Sequence, residues 1–421
     1  MTTQNPEMNR FNKKAAFFVA LAIFAQESVW NFYDAQVPAS LRQYISSAAV
    51  IGLLMGVDNL LGIFVQPWMA HKSDLRKAKA GSRFRLLLIG APVAAVLFAL
   101  IPWATTFEML LVVMIGFAFV ANGFKSIVEA LTADYQAPSH RSKGNAVARI
   151  GVALTILASA GISYIVVDRD VRLAFFIPSV LLIVGMFLAC RGLKSQAPHI
   201  ATSESDAGET VGLKGLVLDL FTSPDRRRLL LLVAVFGAQG TWSAIRSQLT
   251  PYAMEVLGLT RGEAGSIGFP AGIAFLLAAL PVAILAERTS RTVVCMVGMV
   301  VLSLGCVATF FATSALQVSI TMIVVALGWC AFAINAVVIL WSIVPHQKYL
   351  GTYTGFYWTA AALGATLMPA ILGLLVDLTA WRYMMLHAAG LCFLSSLLLL
   401  KVVRSPAPRE RGLATEARNL S

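Results

Sequence analysis

Glu27, Asn31 and Asp34 interrupt an otherwise apolar run, with Trp30 and Tyr33 beside them. At helical spacing the three polar residues share one face. Carboxylate, amide and aromatic groups on one face suit a polyhydroxylated ligand: hydroxyls take bidentate hydrogen bonds, and the flatter side of a sugar ring stacks on an aromatic. The competing reading places Trp30 and Tyr33 in an interfacial aromatic belt. Other apolar runs carry Asp58, Lys125, Glu129 and Arg246, and Arg149 stands just inside the start of another. Lys125 and Glu129, four residues apart, are placed to neutralise each other, either as part of a site or as a structural pair.

These charges matter because of what surrounds them. The chain has 421 residues, 58% hydrophobic and 13% charged, whereas soluble domains are roughly 45–50% apolar and 25% charged. That excludes a soluble globule and makes lipid the solvent of the surplus. About 20 apolar residues cross roughly 30 Å of hydrocarbon, and twelve segments qualify, near 15–37, 47–69, 84–104, 107–132, 144–167, 171–192, 229–254, 264–286, 292–313, 315–344, 352–377 and 381–403. The first follows Arg10, Lys13 and Lys14 as a signal peptide would, but it carries Glu27 and Asp34 and no small-residue cleavage site, so it is expected to stay as a span.

An ionisable group in hydrocarbon costs several kcal/mol unless it faces a cavity or a partner, so each is a functional candidate. At about 1.5 Å per residue, Glu27 lies roughly 20 Å from Lys14 and Asp34 roughly 30 Å, while Asp58 lies roughly 16 Å from Ser47. Glu27 and Asp58 are therefore the central carboxylates and the candidates for carrying a coupling proton, with Glu129 nearby. Arg246, roughly 27 Å along its own span, reaches the depth of Asp34, and the two are expected to pair across an outer gate unless each reaches external water.

The formal net charge of +12 raises the question of a nucleic-acid partner. Of the 33 Lys and Arg residues, external loops hold only Arg42, Arg169, Arg172, Arg261 and Arg382, and spans hold Lys125 and Arg246; the rest fall on the side of the termini. That is the positive-inside pattern, with both termini in the cytoplasm of a cell inner or plasma membrane, and it accounts for the charge without nucleic acid. Cys190, Cys295, Cys306, Cys330 and Cys392 lie singly in apolar stretches, as reduced packing residues. There is no HExxH, no GxSxG elbow and no cluster among His71, His140, His199, His346 and His387, so neither an intramembrane enzyme nor a metal or cofactor site is expected.

The longest polar stretch, 193–228, divides the chain into bundles at 1–192 and 229–404, followed by a tail at 405–421 expected to be disordered. Leu213, Leu216, Val217, Leu220 and Phe221 recur at helical spacing beside Lys214 and Asp219, predicting a short interfacial helix within that linker. Pro138, Arg141 and Gly144 after span four repeat as Pro345, Lys348 and Gly351 after span ten. Two halves with one loop grammar imply duplication, with a site between them near the bilayer midplane.

The loop after span eight reads Ala283 through Glu287 and Arg288 to Arg291; that after span two reads Ser73, Asp74, Leu75, Arg76, then Lys79, Gly81, Ser82, Arg83 and Arg85. The first resembles the GxxxDRxGR loop of the major facilitator superfamily. The second, with its longer spacing, is similar to the SDxxxxRxGRRxP loop of the glycoside-pentoside-hexuronide:cation symporters and their sucrose-carrier relatives. The resemblance runs on through Trp30 to Asp34, Gln66-Pro67, Asp134-Tyr135 to Arg149, Trp242 to Gly258, and Gly351 to Gly355. It departs at Gly81-Ser82-Arg83-Phe84-Arg85, where no Pro follows, and in lacking paired acids beside Pro67.

The resemblance implies two pseudo-symmetric six-helix bundles, all α, moving a small molecule by alternating access as a monomer. It implies cation-coupled symport of a sugar or glycoside, with proton or sodium left open, and an exporter of amphipathic compounds as the alternative. Arg149 falls where that family keeps an arginine contributing to the sugar site, and Lys125 near where it keeps an acid. Asp74 with Arg83, and Glu287 with Arg288, become gating candidates, since an acid among cations can hold neighbouring helices in one state and release them in another; the plainer reading is that they only set topology. In the second half Gln239, Trp242, Asn335, Tyr353, Tyr357 and Trp358 are candidates for hydrogen bonding and stacking, or for packing. Away from the span ends only Arg246 is charged within its spans, so coupling is expected in the first half.

Overall fold

A computed structural model of the chain describes residues 11–80, 82–136, 141–196, 218, 220–222, 225–344 and 350–404. Twelve helices are long and apolar enough to cross a membrane: α1 (Lys13–Arg42), α2 (Ala48–Ala80), α3 (Phe84–Leu100), α4 (Phe107–Tyr135), α5 (Arg141–Ile162), α6 (Val171–Lys194), α7 (Arg227–Leu257), α8 (Phe269–Arg288), α9 (Arg291–Phe310), α10 (Ala315–Ile343), α11 (Leu350–Leu378) and α12 (Met384–Arg404). Helices dominate because hydrocarbon offers backbone groups no partner, so each span must satisfy its own. Local signals mark several starts. Asn12, Thr106, Asp170 and Ser314 each accept a backbone N–H in the first turn of α1, α4, α6 and α10.

An even number of crossings puts Lys13 and Arg404 on one face, here the terminal face, opposite the far face. Buried apolar side chains form two large clusters. One draws on Ala15 through Leu193, the other on Leu220 through Val402 with Ala48 added from α2. The twelve-span, two-bundle architecture thus rests on a separate core in each half.

The structure departs from the sequence reading at span ends. α2 runs on past the apolar stretch to Ala80, so Ser73 and Asp74 are helical rather than in a loop. Polar groups at the membrane edge do not stop a helix that water and neighbouring helices can solvate. Span five leaves α-geometry at a π-turn, Ser163–Val167, and span eight is preceded by a single helical turn, Arg261–Ser266. In the linker, Leu218 and 220–222 are helical, with Leu220 buried against the second core and Phe221 exposed. The remaining linker residues of the expected interfacial helix, together with Gly81, Pro138, Pro345, Lys348, the tail from Ser405 and the side chains of Arg141 and Arg149, lie outside what is described.

Candidate functional site

The polar face of α1 turns inward, toward α4, α5 and α7. Glu27 reaches Lys125 of α4, Oε1 to Nζ 3.5 Å, and accepts from Gln26. Lys125 Nζ also lies 5.7 Å from the Trp30 ring centroid, a cation held between a carboxylate and a π face. This corrects the Lys125–Glu129 pairing: Lys125 crosses to α1, while Glu129 is exposed on α4 and contributes to Lys125 only as a nearby charge. An inter-helix partner positioned by packing prevails over a neighbour along the same helix.

Trp30 is buried against Tyr33 and Phe117, ring centroids 5.6 and 5.1 Å away, and its indole N–H has no hydrogen-bond partner in the described protein. A buried donor without an acceptor is costly, and it marks where a ligand or water oxygen would be held. Asn31, by contrast, is fully engaged. Its Nδ2 donates to Thr155 Oγ1 of α5 at 2.7 Å and to the Glu27 carbonyl, and its Oδ1 accepts from Arg246 at 3.1 Å. Asn31 therefore ties α1, α5 and α7 together here.

Arg246 Nη2 donates to Asp34 Oδ2 at 2.7 Å, joining α7 to α1 across the two halves. Among the described residues, Asp58 on α2 has no cation within ion-pair distance. Its Oδ1 accepts only from Asn59, while its backbone carbonyl accepts from Asn122 of α4. Lys125 lies within electrostatic reach of Glu27, Asp34 and Asp58, and Asp34 within reach of Glu27 and Asp58. Three carboxylates thus share two cations, and Asp58 is the one left over.

In the second half, Trp242 stacks on Trp329 at 5.0 Å and 8°, and Trp329 on Phe332, giving an aromatic wall. Gln239 is half-buried on α7. Asn335 is fully buried, donating to the Ala331 carbonyl while its Oδ1 lacks a donor. Tyr357 is buried against Trp358, itself an exposed residue. Tyr353 is buried, and its hydroxyl accepts from Arg228. Of these, the Trp242 group and Asn335 have the character of a binding wall; Tyr353 is engaged in packing.

The expected gate at the terminal face is a network within one half. Arg83 contacts Asp74 at 2.6 Å, Asp134 at 2.8 Å and Ser73 at 2.7 Å, and Lys77 reaches Asp134 at 2.6 Å, tying α2, α3 and α4. Burial opposes the Arg83 charge, but the hydrogen bonds and charges of Asp134 and then Asp74 outweigh it and hold the guanidinium pKa above its ordinary value. Asp134 is the anchor of this network, a role that its place in the resemblance did not suggest. The second-half counterpart is sparse: Glu287 meets Arg291 along the chain at 3.5 Å, and Arg288 is exposed.

Contacts between the halves gather toward the far face. Besides Arg246–Asp34, Arg42 meets Glu255 at 2.8 Å, Thr250 donates to the Ala35 carbonyl, and Arg261 donates to Gln36 and Ser40 at 2.8 Å. Gln36 in turn donates to Ser163. α2 and α11 touch backbone to backbone: a Cβ at Gly52 would overlap the Pro369 carbonyl, and one at Gly373 the Ala48 carbonyl. Every hydrogen bond and ion pair found between described residues of the two halves lies from Asn31 outward to that face. Arg42 and Arg261 were visible as isolated external cations; their partners were not.

The molecule is thus two helical bundles with a polar seam where α1 meets α7 and contacts gathered at one face. The chain matches the Major Facilitator Superfamily over residues 16–272 and 231–420. It belongs to that superfamily. Among solved structures, it resembles a bacterial homolog of the human lysosomal transporter Spinster in an inward-facing, occupied conformation, with 14% identity, 93% of this chain and 98% of that one covered, and TM-score 0.71. The nucleoside transporter NupG aligns at 14% identity over 93% and 100% of the two chains, TM-score 0.71, and the POT family transporter PepTSo at 11% over 94% and 98%, TM-score 0.70. Curated protein sequences give no match. As a major facilitator transporter, the chain takes a small molecule as its substrate, and the polar face of α1 toward α4 and α7 is the candidate place to meet it.

Proposed function

We propose that this transporter imports a polyhydroxylated solute, a sugar or glycoside, by cation-coupled symport, with its termini in the cytoplasm. The carrying observation is the Glu27–Lys125 pair against Trp30, whose indole N–H lacks an acceptor. A carboxylate, an ammonium, a free N–H donor and a ring face within one seam offer acceptors, donors and a stacking surface together, which hydroxyl-rich ligands use and apolar ones do not. Asp58, without a cation, is the coupling group in this reading, taking up a proton or a sodium ion as solute binds. With the basic face cytoplasmic, the contacts at the far face make the arrangement inward-facing, as in the Spinster homolog.

Transport into proteoliposomes tests this reading. Radiolabelled glycosides are supplied with an imposed proton or sodium gradient, and at least one should accumulate above the level of Asp58→Asn. Uptake of no glycoside under either gradient would overturn it. The stacked Trp242, Trp329 and Phe332 favour a second reading, proton-coupled export of amphipathic compounds. Gradient-driven efflux of a lipophilic cation, without glycoside uptake, would establish that instead.

A further inference from the structure

Two carboxylates outside the seam reach from one half of the molecule onto the backbone of the other. Asp168, just past the π-turn that ends span five, accepts from Thr260 Oγ1 at 2.6 Å and from the Gly262 backbone N–H at 2.8 Å, both in the segment that leads into span eight. Asp377, near the end of α11, accepts from the backbone N–H of Ala48 at 2.7 Å and of Ala49 at 3.0 Å, and from Ser47 Oγ at 2.5 Å, at the start of α2. Span five of the first half corresponds to span eleven, and span eight of the second half to span two. The two clamps are therefore counterparts under the pseudo-twofold that relates the bundles.

We propose that Asp168 and Asp377 are paired trans-clamps that set the closed state of the far face, acting through the helix starts they cap and not through solute. The chemistry follows from what each carboxylate does. A helix start leaves backbone N–H groups unpaired, and an acidic cap satisfies them with a favourable charge–dipole term. Here Thr260 and Ser47 cap one N–H from within their own bundle, and the carboxylate of the opposite bundle takes the neighbouring ones, a part of the cap that exists only while the far face is closed. On opening, water must take its place at both sites. Gly262 belongs to the device: a Cβ there would lie 2.5 Å from Asp168 Oδ2 and 2.6 Å from the Ser163 carbonyl, so only glycine lets the carboxylate reach the N–H. Gly373 does the same at the other clamp, where a Cβ would overlap the Ala48 carbonyl. Asp170, two residues from Asp168, shows the ordinary arrangement, capping Arg172 and Leu173 of its own bundle.

This inference rests on the alternating-access reading but not on the identity of the solute, and its test uses no solute. Spin labels at Glu108→Cys and Leu316→Cys, on the starts of α4 and α10 at the far face, report opening as a distance distribution in lipid nanodiscs; the five native cysteines are buried. Asp168→Ala and Asp377→Ala should each raise the far-open fraction about fivefold, the worth of one helix cap. The pair should give roughly twenty-fivefold, because the two sites share no partner. Gly262→Ala should reproduce Asp168→Ala. Asp170→Ala should lower thermal stability while leaving the distance distribution unchanged. An unchanged distribution in the double variant, or an equal shift in Asp170→Ala, would overturn the proposal.

Discussion

The guanidinium of Arg246 lies 2.7 Å from the carboxylate of Asp34 and 3.1 Å from the amide oxygen of Asn31, so one side chain of α7 holds two residues of α1. Both ends of the pair keep partial solvent contact, with side-chain exposures of 40% and 29%, which moderates its strength. Asp34→Asn or Arg246→Gln should slow solute counterflow about tenfold, in line with the roughly 1.5 kcal/mol of a charged hydrogen bond. The swap Asp34→Arg with Arg246→Asp should recover part of that loss. A swap no better than the worse single variant would show that the pair does not act as a unit.

Glu27 and Lys125 form a second ion pair of the seam. Removing one partner strands the other charge, at a cost of about 1–3 kcal/mol, less than a fully buried pair because water reaches both. Glu27→Gln and Lys125→Met should each lower the melting temperature in detergent more than the double variant does. Equal losses in all three would mean that the two groups are independently solvated.

Asp58 should separate coupling from exchange. With no cation partner among the described residues, it can change occupancy without leaving a stranded charge behind. Asp58→Asn is expected to abolish gradient-driven uptake while counterflow at equal pH persists. Loss of both would assign Asp58 to solute binding.

At the terminal face the acids around Arg83 should differ in worth. Asp134 is nearly buried and serves both Arg83 and Lys77, whereas the Asp74 side chain is 64% exposed. Asp134→Asn is expected to destabilise by about 3 kcal/mol and Asp74→Asn by under ~1 kcal/mol, read as shifts in thermal unfolding.

Glycine at the α2–α11 contact should be indispensable to far-side closure. A side chain at Gly52 would overlap the Pro369 backbone, and one at Gly56 the Thr366 carbonyl. Gly52→Val should fold and insert, yet leave the far face open and solute uptake near background. Wild-type uptake by Gly52→Val would show that the helices can separate without consequence.

Much of the fold was legible because a bilayer writes it in composition. Twelve apolar runs, the basic bias toward the terminal face and the polar break at 193–228 each follow from a single solvation rule that acts residue by residue. The inward polar face of α1 was equally legible, since Glu27, Asn31 and Asp34 repeat at helical spacing. Where α2 stops was not, because Ser73 and Asp74 look like a loop and are helical, Ser73 buried against Arg83 and Asp74 reaching water. Lys125 shows the same limit from the other side. Its sequence neighbour Glu129 was the visible partner, and the packing of α4 on α1 supplied Glu27 instead.

By itself, the sequence determined that this is a twelve-span membrane protein, which residues are too costly to leave in lipid, and which face of α1 must turn away from it. Only the tertiary structure decided who meets whom: Arg246 with Asp34, Lys125 with Glu27, Arg83 with Asp134, and Asp168 and Asp377 with backbone across the halves. The reason is physical. Burial and periodicity are properties of one helix, which local sequence encodes, whereas an ion pair or a trans-cap depends on the rotation and depth of two helices at once. Those are set by how the whole core packs, down to glycines that let two backbones touch.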